Sequence, residues 1–115
     1  MPQFMLLLHD DPRVFADASP EQLQAIYARY RDWRQSLVGT GQLAGGAKLT
    51  DEGGRRLQSR GGRIEVSDGP YAEAKEVLGG YFTVIAADYD EAVEIAKGCP
   101  HLDYGRIELR QVDVT

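Results

Sequence analysis

The sequence predicts an α+β fold in one domain spanning residues 1–115. Stretches with strand character alternate with two that carry helical spacing, and 115 residues suffice for a single modest core. A Gly-Gly pair inside "LQSRGGRIEV" adds a hairpin between the two halves.

Each element follows from local chemistry. Residues 3–9 (QFMLLLH) read as a strand, with Phe4, Leu6 and Leu8 on one face and Met5, Leu7 and His9 on the other. Both faces are apolar, so both call for cover. "DDPRVFADA" reads as a loop. Ser19 then caps a helix, with Pro20 at its first position and Gln22 closing a capping box. Leu23, Ile26, Tyr27, Tyr30, Trp33 and Leu37 recur at helical spacing, and Gly39 and Gly41 end the helix. Residues 42–49 form a second strand, made irregular by Gly45 and Gly46.

In the hairpin, Leu57 falls opposite Val66, Ser59 opposite Ile64 and Arg60 opposite Arg63. Its arginines, with Arg55 and Arg56, read as a solvated edge that discourages aggregation. Gly79-Gly80 releases the chain into a strong strand at 81–87 (YFTVIAA). Asp88 and Glu91 cap a helix that runs through Lys97 and stops at Gly98 and Pro100. Residues 105–112 close the chain, with Ile107 and Leu109 on one face and Glu108 and Arg110 on the other.

Without the hairpin, this order is two β-α-β halves, the ferredoxin-like βαββαβ plan with both helices on one sheet face. The doubly apolar first strand calls for cover on the remaining face, and a second copy supplies it. A homodimer with a closed two-sheet arrangement, a dimeric α+β barrel, is therefore expected.

The bulk properties exclude several functions. A formal net charge of −5 argues against a nucleic-acid binder. No apolar run approaches the roughly 20 residues that cross a bilayer, and the N-terminus lacks the basic region of a signal peptide. A cytoplasmic location is expected. The single Cys99 can form neither an internal disulfide nor a thiolate metal site. With two histidines and scattered carboxylates, no metal or other cofactor is expected.

"SDGPYAEAKEVLGGYFTV" and "DYDEAVEIAKGCPHLDYGRIELRQV", with the opening "FMLLLHDD", resemble the YCII-related, or DGPF-motif, family of small bacterial proteins. Tyr71 stands where the namesake motif has Phe. The resemblance implies a ferredoxin-like fold assembled as a dimeric α+β barrel. It also implies, for some members, a histidine–aspartate pair in a cleft. One relative is a dehydrochlorinase, so the implied reaction is acid–base elimination or isomerisation on a small molecule. Other members occur alongside extracytoplasmic-function sigma factors, which makes a noncatalytic binding or regulatory module the alternative.

In "DGPYAEAKE", Asp68 can serve the amides of its own turn, Pro70 suits the start of a short helix, and Glu73 sits near that helix's positive end. The resemblance gives the stretch a second reading, as the rim of a site. Asp68 and His101 are then the leading catalytic candidates, expected to face one cavity within a subunit or across the dimer. His9, followed by Asp10 and Asp11, is the third. A neutral imidazole beside a carboxylate takes a proton near neutral pH, and the carboxylate fixes its tautomer. Tyr71 and Lys75 are candidates for binding an oxygen-rich ligand, and Arg110 for binding an anion in the dimer cavity.

Overall fold

The computed structural model describes residues 1–69 and 76–114. Its elements run β1 (Gln3–Asp10), α1 (Pro20–Gly39), β2 (Leu43–Lys48), β3 (Arg55–Arg60), β4 (Arg63–Asp68), β5 (Val77–Ile85), α2 (Tyr89–Lys97) and β6 (Gly105–Gln111). Short 3₁₀ turns stand at Pro12–Phe15, inside the expected loop, and at Pro100–Asp103. Four strands make an antiparallel sheet in the order β2-β5-β1-β6. That is the ferredoxin-like plan expected from the element order, and β3 and β4 form a separate two-stranded hairpin.

Alternation along β1 decides where the core lies. Phe4, Leu6 and Leu8 are buried with Phe82 and Val84 of the neighbouring β5 and with Ala86 just after it, beneath Leu37 of α1 and Ala92 and Ala96 of α2. Ile107 and Leu109 pack against the same cluster. Phe4, Leu6 and Val84 are wholly enclosed, each contributing about 1.5–3 kcal/mol from burial. Trp33 of α1 meets Phe82 edge-on, with ring centroids 5.0 Å apart.

The helix starts follow local rules. The Ser19 hydroxyl accepts the Gln22 amide at 3.1 Å, and the Gln22 side chain accepts the Ser19 amide at 2.7 Å. Asp88 accepts the Glu91 amide at 2.9 Å. Two glycines in sequence order, Gly79 and Gly80, lie within β5 rather than before it. The reason is a close approach: a methyl group on Gly80 would come 2.9 Å from the Ala47 carbonyl oxygen on β2.

The hairpin register matches expectation, with Leu57 opposite Val66, Ser59 opposite Ile64 and Arg60 opposite Arg63. Its arginines decorate a detached ribbon, since β2 and β6 are the edges of the main sheet. Leu57, Ile64 and Val66 are 68%, 66% and 63% exposed, so the ribbon's apolar face is left largely uncovered by the described residues. The radius of gyration, 16.2 Å, exceeds the about 13 Å of a compact chain this long, as a projecting ribbon requires.

Phe4→Ala should lower unfolding stability by about 3–5 kcal/mol in a urea titration, because it opens a cavity between sheet and helices. Val38→Ala, at an exposed position on α1, should stay within about 0.5 kcal/mol of the parent.

Candidate active site

The site forms where β1 leaves the core. Asp10 continues the side of β1 that carries Phe4, Leu6 and Leu8, so its side chain lies on the helix-bearing face of the sheet. The β1–β5 register slips between Leu8 and His9, with Leu8 opposite Gly80 and His9 opposite Leu78. Gly79 is the extra residue. A methyl group there would sit 3.4 and 3.5 Å from the Asp10 carboxylate oxygens. Such irregularities re-aim side chains at strand ends.

His101 comes from the 3₁₀ turn after α2 and is 3% exposed. Its Nε2 lies 2.9 Å from the His9 carbonyl oxygen and its Nδ1 lies 2.9 Å from the Tyr30 hydroxyl on α1. A carbonyl only accepts, so Nε2 carries a hydrogen in every protonation state. In the neutral ring Nδ1 therefore accepts from Tyr30. In the imidazolium Nδ1 donates to the Tyr30 oxygen instead, and the phenolic hydrogen is released toward the cavity. One proton on His101 thus switches Tyr30 from donor to acceptor toward the ring, and from acceptor to donor toward the cavity.

Tyr30 and His101 open into a cavity of about 390 Å³ that also includes Asp10, Phe15, Tyr27, Phe82, Arg34 and Lys48 in its wall. The volume suits a small ligand. Burial pushes the Asp10 carboxyl above its ordinary range, while the nearby His101 pulls it back down. The Asp10 carboxylate makes no hydrogen bond to a described residue. Burial also raises Tyr30, which stays a phenol at neutral pH. Tyr104 stacks on Tyr30 at 6.2 Å between centroids and is held by Arg29 at 2.6 Å, so the Tyr30 ring is braced from behind.

The other sequence candidates lie elsewhere. His9 turns its ring to the open sheet face, where Nε2 is 3.4 Å from Glu108 Oε1. Only its carbonyl reaches His101. Arg110 is exposed on that same face, 3.5 Å from Glu108. Asp68 ends β4 on the hairpin, exposed and 3.5 Å from Arg55 Nε, and it is not in the cavity wall that holds His101. Tyr71 and Lys75, with the short helix expected after Asp68, lie outside the described residues. Cys99 is buried, and that burial pushes its thiol up to about 11, leaving little thiolate for nucleophilic chemistry. Among the described residues no three metal-ligating side chains converge.

Asp10 and Tyr30 were not singled out from the sequence. Asp10 stood in the "HDD" triplet, and only its parity with Leu8 distinguishes it from its neighbours. Tyr30 read as a core position of α1, and nothing in the sequence says that position 101 would meet it.

The YCII-related domain model matches residues 2–114. An uncharacterized protein of Rhizobium meliloti (strain 1021) is 28% identical over 95 residues, covering 82% of this chain and 77% of that protein. Among solved structures, the 5-chloro-2-hydroxyhydroquinone dehydrochlorinase of Burkholderia phenoliruptrix AC1100, in complex with 2,5-dihydroxybenzoquinone, is similar in fold. The likeness covers 96% of this chain and 93% of that one, with TM-score 0.55 and 13% sequence identity.

Gly105→Ala tests the junction of these groups. The added methyl would collide with the His9 carbonyl oxygen and lie 2.9 Å from His101 Nε2 and 3.0 Å from Asp10 Cβ. The variant should lose stability, and the His101 ring signals should shift in the NMR spectrum. Unchanged ring signals would show that the His101–His9 bond does not depend on this contact.

Proposed function

The chain belongs to the YCII-related family, and we propose that it is an acid–base catalyst of elimination or isomerisation on a small oxygenated molecule. One observation carries the proposal: a half-buried carboxylate with no hydrogen-bond partner among the described residues shares a cavity with a hydrogen-bonded Tyr–His pair. Asp10 takes the proton from a ligand carbon. Tyr30 gives its proton to the ligand oxygen as an enol forms, and the His101 imidazolium refills Tyr30 through Nδ1. For an isomerisation, Asp10 returns its proton to a different ligand carbon while the enol proton goes back to Tyr30; for an elimination, the enol proton goes back to Tyr30 as the carbonyl reforms and the leaving group departs as its anion. Raising the Asp10 carboxyl toward neutrality improves it as a base, and each such group contributes about 10²–10⁴ in rate. The similarity in fold to a dehydrochlorinase supports this class of reaction.

The expected homodimer belongs to the same proposal. Met5, Leu7 and Tyr81 remain half-exposed on the sheet face away from the helices, and the hairpin offers its uncovered Leu57, Ile64 and Val66. A second copy covering both would remove these apolar surfaces from water. This assembly is also the route by which Asp68 or Arg110 could reach a neighbouring cavity.

The catalytic proposal is tested with 2,5-dihydroxybenzoquinone in D₂O, following deuterium exchange at the ring carbon by NMR. The wild-type protein should exceed the buffer rate, and Asp10→Asn should slow exchange by about 10²–10⁴. Asp10→Asn should not weaken the fold. Because the folded state holds the Asp10 proton more tightly than the unfolded chain, ionising it opposes folding. That deficit is absent below the ordinary carboxylate pKa and grows as pH rises through the raised folded value. The amide should therefore match the parent at low pH and match or exceed it at pH 7. Exchange no faster than buffer would leave the noncatalytic binding module in its place.

Light scattering at micromolar concentration should give twice the 12.7 kDa chain mass, and Leu7→Glu should return the protein to monomer. A monomeric parent would remove the dimer.

A further inference from the structure

Charge in the cavity is distributed along its depth. His101 is 3% exposed at the inner end, and Asp10 and Tyr30 are half-buried beside it. Arg34 and Lys48 are exposed at the outer end. The same wall carries rings from three parts of the chain: Phe15 from the first 3₁₀ turn, Tyr27 from α1 and Phe82 from β5. Tyr27, Tyr30 and Arg34 are spaced i, i+3, i+7 and so share one stripe of α1.

Arg34 differs from many of the arginines on this acidic chain. Arg13 pairs with Asp11, Arg29 with Asp103, Arg55 with Asp68 and Arg106 with Glu76. Arg34 has neither a carboxylate nor a hydrogen-bond partner among the described residues. Lys48 is partly engaged, 3.3 Å from Asp51 and 3.1 Å from the Leu49 carbonyl oxygen. A guanidinium with no partner among the described residues, in the wall of an aromatic slot, offers a planar fork to an oxyanion.

We infer that the cavity selects a flat ring carrying an anionic group at one end and a hydroxyl or carbonyl at the other. The anion meets Arg34, with Lys48 in support. The neutral oxygen meets Tyr30 and His101. Flat rings fit against Phe15, Tyr27 and Phe82, where offset and edge-to-face contacts reward aromatic faces. An anion at the inner end would meet the Asp10 carboxylate, so the ligand is oriented as well as selected. This inference deepens the proposed function and rests on the same cavity, but it concerns binding rather than turnover.

The test compares 4-hydroxybenzoate with its neutral isostere 4-hydroxybenzamide, using calorimetry and the fluorescence of Trp33, the single tryptophan, which packs on the cavity residue Phe82. The wild-type protein should bind the carboxylate at least tenfold more tightly than the amide. Arg34→Gln should abolish that preference while leaving amide binding unchanged, and Arg34→Lys should restore part of it. Tyr30→Phe should weaken both probes alike. Circular dichroism establishes that each variant is folded; Arg34 is exposed, so loss of the fold is not expected. Equal affinity for the two probes, a preference that survives Arg34→Gln, or no binding of either at millimolar concentration would overturn the inference. Asp10→Asn separates the two ideas. It removes the proposed base and should keep or raise the carboxylate preference, so lost exchange with retained selectivity leaves this inference standing.

Discussion

The hydrogen bond from His101 Nε2 to the His9 carbonyl is the constraint on which the site depends. It fastens the turn after α2 to the end of β1, 92 positions earlier in the chain, and fixes the imidazole tautomer. With one nitrogen committed to a carbonyl, the other can only serve Tyr30. The bond is 2.9 Å long and joins a part-buried carbonyl to a buried ring, where an unsatisfied partner would cost about 1–3 kcal/mol. Gly105 keeps space around it, since a side chain there would press on the His9 carbonyl, His101 and Asp10.

From that fixed point the remaining groups acquire distinct roles. Asp10 is drawn away from water by its strand position and lacks a hydrogen-bond donor among the described residues, so its charge is costly and its proton is held more tightly. Tyr30 is kept as a phenol by its own burial and braced by the Tyr104 ring, which Arg29 holds in turn. Stability and chemistry pull in opposite directions at Asp10. The carboxylate proposed as the base is one the fold would be no worse without.

The molecule also presents two surfaces that its own core does not use. The sheet face bearing Met5, Leu7 and Tyr81 and the hairpin face bearing Leu57, Ile64 and Val66 are apolar and open. The hairpin leaves the body between Lys48, in the cavity wall, and Val77, two residues before another wall residue, Gly79.

The plan of the fold was legible in the sequence because its determinants are local or periodic. The capping box at Ser19, the Asp88 cap, the two-residue hairpin turn and the alternation of Phe4, Leu6 and Leu8 each act within a few residues. Element order then leaves few topologies, and the observed sheet is the one it favours. His101 was legible as a chemical candidate, although not its partners. Asp10, Tyr30, Arg34 and His101 come together only when β1, α1 and the turn after α2 pack on one end of the sheet. A loop stretch as rich in turn chemistry as "SDG" drew attention to Asp68, which lies at an exposed strand end beside Arg55. Short-range hydrogen bonding and side-chain period are written into neighbouring residues, so the sequence by itself determined the elements and the buried face of the sheet. Which carboxylate is desolvated beside which imidazole depends on long-range packing, and only the tertiary structure decided it.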